Sequence, residues 1–249
     1  MNILAVIPAR YASTRLPGKP LVSLGGKPMI ERVWERVRKA TLVSRVIVAT
    51  DDERIRSAVK SFGGEVVLTR ADHRSGTERV AEVAAAQRDA EILVDVQGDE
   101  PLIEPAAIDA AIEAIRADGD VQVATLAVPI TNPAEIMDPN VVKTVLDFDG
   151  NALYFSRAPI PWVRDRKGPV HAQHLKHLGL YVFRREALLD FATFPQGDLE
   201  RIEQLEQLRW LENGYRIRVV ETEYKTVEVD TPEDVRRAEQ LLAGAAGAR

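Results

Sequence analysis

A basic segment near the start of the chain has the residue types of an anion-binding loop. Residues 8–21, PARYASTRLPGKPL, contain the cations Arg10, Arg15 and Lys19. Small residues lie among them: Ala9, Ala12, Ser13 and Thr14. Small residues let backbone N–H groups approach a phosphate, and the cations neutralise its charge. The segment matches neither the Walker A pattern nor G-x-G-x-x-G, and a solvated loop is the alternative. Three cations after a predicted strand of an acidic chain favour a polyphosphate site.

Two aspartates far apart in the sequence are candidate metal ligands. Asp99 follows a predicted strand in the motif QGDEP, and Asp230 precedes a predicted helix in VDTPEDV. Mg²⁺ takes one or two protein carboxylates and completes its octahedron with phosphate oxygens and water, so the pair suits a metal-phosphate site. The alternative role for Asp230 is a helix cap. Further candidates that spacing does not rank are Asp95, Glu100 and Glu104.

Short apolar runs rich in β-branched residues predict the strands that position these loops. The runs in the first half are 3–7, 46–49, 66–68, 92–96 and 121–128. Helical patterns separate them, the clearest being an amphipathic helix over 29–37. This alternation predicts an α/β fold with a mainly parallel sheet flanked by helices and with ligands beyond the carboxyl ends of the strands. We expect Asp51 and Asp52 to cap the helix that follows them.

The order of elements changes after about residue 130. Strand-like runs at 141–146, 152–155 and 178–183 predict a smaller antiparallel extension at about 131–184, inserted within a single domain of residues 1–249. Residues 159–174 are rich in Pro, Arg and Gly, which predicts a surface loop and a candidate lid. A helix is predicted from residue 199. Its inward residues would be Leu199, Ile202, Leu205, Leu208 and Leu211.

Composition limits the class of protein. The chain has 249 residues, of which 45% are apolar and 29% charged, an ordinary globular balance. Its net charge of −5 gives no electrostatic reason to expect nucleic acid or an acidic membrane as the main partner. The absence of cysteine excludes disulfides and thiol chemistry and fits a reducing compartment. No run approaches the roughly 18 to 20 apolar residues of a membrane span, so we expect a cytoplasmic protein.

Several blocks along the whole chain resemble one enzyme family. In order they are IPARYASTRLPGKPL, TRADHRSGTERVAE, VDVQGDEPLI, ALYFSRAPIPW, LEQLRWLENG and VDTPEDV. They resemble the CMP-Kdo synthetases, the 3-deoxy-manno-octulosonate cytidylyltransferases, which join CTP to an eight-carbon acidic sugar. The resemblance implies a Mg²⁺-dependent, usually homodimeric enzyme of lipopolysaccharide biosynthesis. It implies a Rossmann-like nucleotidyltransferase fold whose extension serves sugar binding and dimerisation.

The resemblance also implies roles for individual residues. The catalytic set would be Arg10, Lys19 and Asp99, and the metal ligands would be Asp99 and Asp230. The CTP-binding residues would be Ala9, Arg10, Ser13, Thr14, Arg15, Lys19, Arg70, Ser75 and Gln97. The sugar-binding residues would be Gln97, Arg157, His177, Tyr181, Glu206 and Gln207. Without the resemblance, His177 and Tyr181 would be interpreted as half-buried strand residues and Glu206 as a solvated helix position.

The implied reaction is attack of the sugar's anomeric hydroxyl on the α-phosphate of CTP, with pyrophosphate leaving. In such chemistry, positioning and charge stabilisation do most of the catalysis, and no protein general base stands out in the sequence. The alternatives are a CMP-8-amino-Kdo synthetase, a CMP-sialic acid synthetase and, from a different class, a nucleotide-binding sensor without catalysis. A Rossmann oxidoreductase is disfavoured because the first strand lacks a following glycine-rich turn.

Overall fold

The computed structural model describes residues 1–13, 16–164, 174–224 and 227–247. The predicted site residues Thr14 and Arg15, and most of the predicted loop 159–174, lie outside these ranges. Within these ranges, no helix combines the length and the apolar composition that crossing a membrane requires.

The chain divides into two units. The first contains Met1–Asp109 together with Lys225–Arg249, and the second is Ala110–Tyr224. The first unit is therefore built from two segments of the chain, which places the C-terminal segment in the same unit as the basic loop. The predicted extension, 131–184, lies within the second unit.

A parallel sheet forms the centre of the first unit. The strands of this unit, within the described residues, are β1 (Ile3–Ala9), β2 (Ser23–Leu24), β3 (Lys27–Pro28), β4 (Arg45–Thr50), β5 (Glu65–Leu68) and β6 (Ile92–Asp95). β1 pairs in parallel with both β4 and β6, so that Ala5 lies between Val46 and Val94, and β5 pairs in parallel with β4. β2 and β3 form a separate antiparallel hairpin. The predicted parallel strands of the first unit are confirmed.

Helices pack against this sheet. Those between its strands are α1 (Met29–Val37), α2 (Glu53–Ser61) and α3 (Gly76–Ala86), and α4 (Pro105–Ala117) follows β6. α1 buries Met29, Ile30, Val33 and Val37, which confirms its predicted apolar face. Asp52 is the N-cap of α2, accepting a hydrogen bond from the Arg54 N–H, whereas Asp51 lies 3.6 Å from the Arg79 guanidinium. The cap prediction therefore holds for Asp52 and is wrong for Asp51.

The second unit is mostly antiparallel. Its strands, within the described residues, are β7 (Val123–Pro129), β8 (Lys143–Leu146), β9 (Ala152–Ser156), β10 (Leu175–Arg184) and β11 (Ile217–Glu221). β10 is antiparallel to β7 and β8, and β8 is antiparallel to β9, while β7 and β11 are parallel. Its shorter helices are α5 (Pro133–Met137), α6 (Arg185–Phe191), α7 (Asp198–Glu203) and α8 (Gln207–Glu212). The predicted antiparallel pairing of this region is confirmed.

The single helix predicted from residue 199 is wrong. Gln204 has a φ of 54°, in the left-handed region, and it divides the segment into α7 and α8. Leu199 and Ile202 are exposed, at 38% and 79%, whereas Leu205 and Leu208 are buried. Because a helix turns every 3.6 residues, leucines spaced by three drift around its surface, and the break at Gln204 separates the exposed pair from the buried pair.

The C-terminal helix α9 (Pro232–Gly247) belongs to the first unit. Buried residues from both ends of the chain pack together here, Leu24 and Met29 with Val229 and Ala238. Burying a side chain of this size contributes roughly 1.5–3 kcal/mol. This packing fixes the segment before α9 beside the basic loop.

Candidate active site

The basic loop after β1 turns at Gly18. Gly18 has a φ of 69°, in the left-handed region that favours glycine, and a Cβ there would lie 3.1 Å from the Tyr11 ring. The Gly18 N–H donates to the Tyr11 carbonyl at 3.2 Å. The Arg54 guanidinium lies 3.3 Å from the centroid of the same ring and donates to the Asp52 carboxylate at 2.6 Å. Tyr11 thus connects α2 to the residue that precedes Lys19.

Lys19 lies between two carboxylates. Its Nζ is 2.5 Å from Asp99 Oδ2 and 2.7 Å from Asp230 Oδ1. Burial alone would lower the pKa of Lys19, but the two carboxylates outweigh burial and raise the pKa above its usual 10.5. The lysine is therefore an ammonium ion, and one positive charge faces two negative charges. The three side chains are partly exposed, at 14%, 27% and 26%, so a ligand can reach them.

The segment before α9 orients Asp230 towards Lys19. The Thr231 N–H and hydroxyl donate to Asp234 at 2.9 and 2.8 Å, and the Asp234 N–H donates to the Thr231 hydroxyl at 3.3 Å. This reciprocal arrangement is a capping box, so the alternative role of Asp230 as the helix cap is wrong. The Val229 N–H donates to the Asp99 carbonyl at 3.0 Å and joins the two aspartate segments.

Asp99 and Asp230 have the chemistry of a divalent-cation site. One oxygen of each already reaches the same cationic atom, the Lys19 ammonium, which shows that the two carboxylates can share one cation. One or two carboxylates are the protein ligands that Mg²⁺ takes at phosphate sites. Across the described ranges, no group of three or more acidic, His or Cys side chains forms a further metal site.

The loop after β6 and the start of α3 meet the end of β1. A Cβ on Gly98 would lie 3.0 Å from the Pro8 carbonyl oxygen. A Cβ on Gly76 would lie 3.2 Å from Pro8 Cγ and 3.4 Å from the Gln97 side-chain nitrogen. Ser75 is the N-cap of α3. Two residues predicted for nucleotide binding, Ser75 and Gln97, therefore lie together at the carboxyl edge of the parallel strands.

The other predicted nucleotide residues differ in exposure. Ala9 is the buried last residue of β1, and the Ser13 hydroxyl accepts a hydrogen bond from the Leu16 N–H at 3.4 Å. Arg10 is exposed and makes no hydrogen bond or ion pair with the part of the chain that the structure describes. Arg70 is also exposed, and its Nε lies 3.1 Å from Asp72. The two arginines are accessible to an anionic ligand.

Arg157, predicted to bind a sugar carboxylate, holds backbone carbonyls in this structure. Its Nε, Nη1 and Nη2 donate to the carbonyls of Glu203, Pro139 and Gln204 at 2.7, 2.9 and 3.2 Å. Its own N–H donates to the Glu203 carboxylate at 2.9 Å. Arg157 thus fixes the left-handed turn at the end of α7, a role that its sequence motif does not indicate.

His177 and Tyr181 belong to a group of packed rings in the second unit. The His177 ring lies 5.0 Å from Phe155 and 5.4 Å from Tyr181, between centroids, and its Nε2 is 3.0 Å from the Thr125 hydroxyl. Burial lowers the pKa of His177 to about 3, so the imidazole is neutral at physiological pH. These contacts fit the strand-residue interpretation and leave His177 able to form hydrogen bonds but not ion pairs.

Glu206 and Gln207 lie side by side at the start of α8. Glu206 is the N-cap residue and is half-buried. Gln207 is only 4% exposed, and its Nε2 is buried without a hydrogen-bond partner among the residues that the structure describes. A buried amide donor without an acceptor costs about 1–3 kcal/mol. A ligand hydroxyl or carboxylate would supply that acceptor.

The sequence did not indicate two residues that shape the site, Tyr11 and Arg54. Tyr11 lies in the basic segment, and Gly18 is the residue whose type indicates a close contact there. Arg54 comes from α2, and its contact with the Tyr11 ring depends on the register of β1 and β4. Register is a tertiary property, so no local pattern predicts this pair.

Comparisons with known proteins identify the family of this chain. A family model described as cytidylyltransferase matches residues 4–218, and the chain belongs to the cytidylyltransferase family. The 3-deoxy-manno-octulosonate cytidylyltransferase of Solibacter usitatus (strain Ellin6076) is 58% identical over 241 residues, covering 97% of this chain and 94% of that protein. The protein of the same name from Syntrophotalea carbinolica (strain DSM 2380 / NBRC 103641 / GraBd1) is 54% identical, covering 98% and 100%.

Solved structures give the same fold. The structure of CMP:2-keto-3-deoxy-manno-octonic acid synthetase complexed with CTP has a TM-score of 0.93 and 43% identity, covering 98% of this chain and 100% of that chain. The 4-diphosphocytidyl-2C-methyl-D-erythritol synthase of Anaerococcus prevotii DSM 20548 has a TM-score of 0.65 at 15% identity, covering 97% of this chain and 98% of that chain, which shows the fold alone. The predicted α/β fold with a mainly parallel sheet is confirmed.

Proposed function

We propose that this protein transfers CMP from CTP to 3-deoxy-D-manno-octulosonate (Kdo), forming CMP-Kdo and releasing pyrophosphate for lipopolysaccharide biosynthesis. The observation that carries the proposal is the meeting of Lys19, Asp99 and Asp230 beside the loop after β1. Support also comes from relatives above 50% identity that are named for this reaction, and from a 43% identical structure complexed with CTP.

The chain's own residues would act on the triphosphate mainly through charge and position. Lys19 and Arg10 bind phosphate oxygens and stabilise the negative charge that moves to the departing pyrophosphate. Ser75 and Gln97, at the edge of the sheet, and the accessible cation Arg70 are proposed to bind the nucleotide. Asp99 and Asp230 would hold Mg²⁺, which would supply charge stabilisation at phosphorus.

The acceptor sugar would be bound by residues of the second unit. The proposed set is Arg157, His177, Tyr181, Glu206 and Gln207. The buried amide of Gln207 supports this role because it needs an acceptor. The neutral His177 would donate or accept a single hydrogen bond with a sugar hydroxyl. The guanidinium of Arg157 has five N–H groups and makes three bonds to carbonyls, so it retains donors for a carboxylate.

We further propose that the protein works as a cytoplasmic homodimer. Large apolar side chains are exposed on the second unit, including Phe148, Leu153 on β9 and Ile202 on α7. Exposed apolar side chains favour association where they form a contiguous patch. Light scattering should give twice the 27.6 kDa mass of the chain, and a monomer at micromolar concentration would contradict the proposal.

A matrix of substrates tests the proposed function. Pyrophosphate release is measured with Mg²⁺ for each of the four nucleoside triphosphates against Kdo, 8-amino-Kdo, sialic acid and no acceptor. The expected result is rapid release only with CTP and Kdo. Faster release with 8-amino-Kdo or sialic acid than with Kdo would show that this other sugar is the acceptor. Binding of CTP without release in any arm would identify a nucleotide sensor instead of an enzyme.

A further inference from the structure

Lys19 makes contacts that phosphate binding alone does not require. Its ammonium bonds to both carboxylates assigned to the metal, at 2.5 and 2.7 Å. We propose that Lys19 is the internal counter-cation of the metal site: it holds Asp99 and Asp230 when no metal is bound, and it must leave them before a divalent cation can be held. The inference rests on the proposed function and adds a competition between lysine and metal to it.

The carboxylates need a cation in every state of the site. Their side chains are 27% and 26% exposed, and the hydrogen bond from the Val229 N–H to the Asp99 carbonyl joins their backbones. Two carboxylates held near one point repel each other, and a nearby opposite charge relieves the repulsion. Lys19 supplies that charge from within the chain.

The lysine is able to leave. A lysine carries a compact charge on a flexible stem, unlike an arginine, whose planar fork fixes both partners. Lys19 is 14% exposed and starts a short 3-10 helix, Lys19–Leu21, so its side chain can turn without unfolding a strand. A triphosphate offers it several anionic oxygens. When Lys19 moves to the phosphate, the carboxylate oxygens that it held on Asp99 and Asp230 become available to a divalent cation.

The competition makes the two ligands cooperative. Nucleotide removes the lysine from the carboxylates, and metal prevents the lysine from returning. By linkage, each ligand increases the affinity of the other through this one residue. Without nucleotide, Lys19 should keep the affinity for Mg²⁺ low.

The chain offers a matched control in Lys27. This lysine also contacts two carboxylates, Glu31 at 2.8 Å and Glu35, but it lies on the surface beside α1. Its side chain is 39% exposed, against 14% for Lys19. Replacing Lys27 removes the same type of cation from a pair of carboxylates that has no proposed role in metal binding.

Calorimetric titration of Mg²⁺ into nucleotide-free protein tests the inference. Lys19→Met should bind Mg²⁺ about tenfold more tightly than wild type, or better, which is within the usual range of coupling. Lys27→Met should bind like wild type. An unchanged or weaker affinity for Lys19→Met would overturn the inference, as would an equal gain for Lys27→Met.

Thermal unfolding gives a second readout. In EDTA, Lys19→Met should unfold at a lower temperature than wild type. Addition of Mg²⁺ should raise the unfolding temperature of Lys19→Met to that of wild type, and it should change the unfolding temperature of wild type little. If Lys19→Met does not fold by circular dichroism, Lys19→Gln replaces it as the neutral variant. Lys19→Arg keeps the charge and should show the weak Mg²⁺ affinity of wild type. Tight binding by Lys19→Arg would contradict the proposed competition.

These measurements separate the inference from the proposed function because they contain no nucleotide and no sugar. A wild-type protein that releases pyrophosphate from CTP, with Mg²⁺ affinity unchanged in Lys19→Met, would refute only the inference. A wild-type protein inactive in every substrate arm, with tighter Mg²⁺ binding in Lys19→Met, would refute only the proposed function.

Discussion

Two groups of charged residues, one in each unit, combine basic and acidic side chains in different ways. In the second unit, Arg209 donates two hydrogen bonds to the Glu200 carboxylate at 2.7 and 2.6 Å, and both side chains are at least nine-tenths buried. The guanidinium also lies 4.0 Å from the centroid of the Phe191 ring. In the first unit, Lys19 faces two carboxylates, and all three side chains reach solvent.

The difference lies in access to solvent. The Glu200–Arg209 pair has one charge of each sign and is closed by aromatic packing, so it is complete without a ligand. The group around Lys19 contains two carboxylates and is open to solvent, so a ligand can reach it. The closed, buried pair is therefore expected to support stability, and the open group is expected to support function.

The largest effect should follow from Asp99→Asn. Because it removes a carboxylate charge from the proposed metal site, CMP transfer should fall about 100- to 1000-fold. The free energy of unfolding should change little. Pyrophosphate release in saturating Mg²⁺ measures the first quantity and urea unfolding the second. Asp198→Asn, at an exposed ion pair with Arg201, is the control and should keep full activity. Activity of Asp99→Asn within a few-fold of wild type would remove Asp99 from the site.

Arg209→Met is expected to lower stability and to leave activity unchanged, which is the opposite of the result expected for Asp99→Asn. This change leaves the Glu200 carboxylate buried without its cation, which typically costs about 3–5 kcal/mol. Urea unfolding should show that loss, while activity per folded molecule is retained. Arg201→Met removes a surface arginine of α7 and should cost under about 1 kcal/mol. If Arg209→Met lowers the free energy of unfolding by no more than Arg201→Met does, the buried pair does not stabilise the fold.

His177 should make stability depend on pH in the second unit. Burial lowers its pKa from 6.5 to about 3, so the unfolded chain binds more protons than the folded chain between these values. The contribution of His177 to stability is therefore full above pH 6.5 and is lost as the pH falls, at about 1.4 kcal/mol per pH unit.

Urea unfolding of wild type and His177→Gln at pH 7 and pH 5 measures this contribution. Between these values wild type should lose roughly 2 kcal/mol more than His177→Gln, whose amide can still reach the Thr125 hydroxyl but does not titrate. The difference between the two proteins cancels the titration of all other groups. Equal losses would mean that the His177 ring is accessible to protons in the folded state.

The smallest expected effect concerns the support of Lys19 by Tyr11. Tyr11→Ala removes the ring that contacts Gly18 and Arg54 and should raise the KM for CTP about five- to tenfold, in proportion to a contact of about 1 kcal/mol. Tyr11→Phe keeps the ring and should behave like wild type. Arg54→Ala should give part of the effect, and Arg56→Ala, on the same helix, none. A similar KM in Tyr11→Ala and Tyr11→Phe would show that the ring does not position the loop.

Much of the first unit could be predicted from the sequence because its signals are local. The apolar runs of β1 and β6 and the amphipathic stripe of α1 each require only a short window. The position of Asp99 follows from the rule that ligands gather at the carboxyl ends of parallel strands. Residue types and the family resemblance both suggest Asp230 as a metal ligand, but no local pattern brings it to Lys19, since their meeting depends on packing between the two ends of the chain.

The second unit was harder to predict because its decisive features are tertiary. The left-handed Gln204 breaks an expected helix, and no glycine marks the position. Arg157, the residue after β9, holds that break together through its bonds to carbonyls, and Glu200 and Arg209 form a buried ion pair across it. Each feature depends on contacts between separate elements, about which periodicity gives no information.

Phosphorus NMR of the wild-type protein with CTP, Kdo and Mg²⁺ tests the central claim most directly. The claim is that the open group of Lys19, Asp99 and Asp230 in the first unit serves transfer of CMP to the sugar. The predicted result is loss of the CTP signals with equal growth of pyrophosphate and of one phosphodiester resonance, and neither product forms with Asp99→Asn. Unchanged CTP, or release of free CMP without a phosphodiester, would contradict the claim.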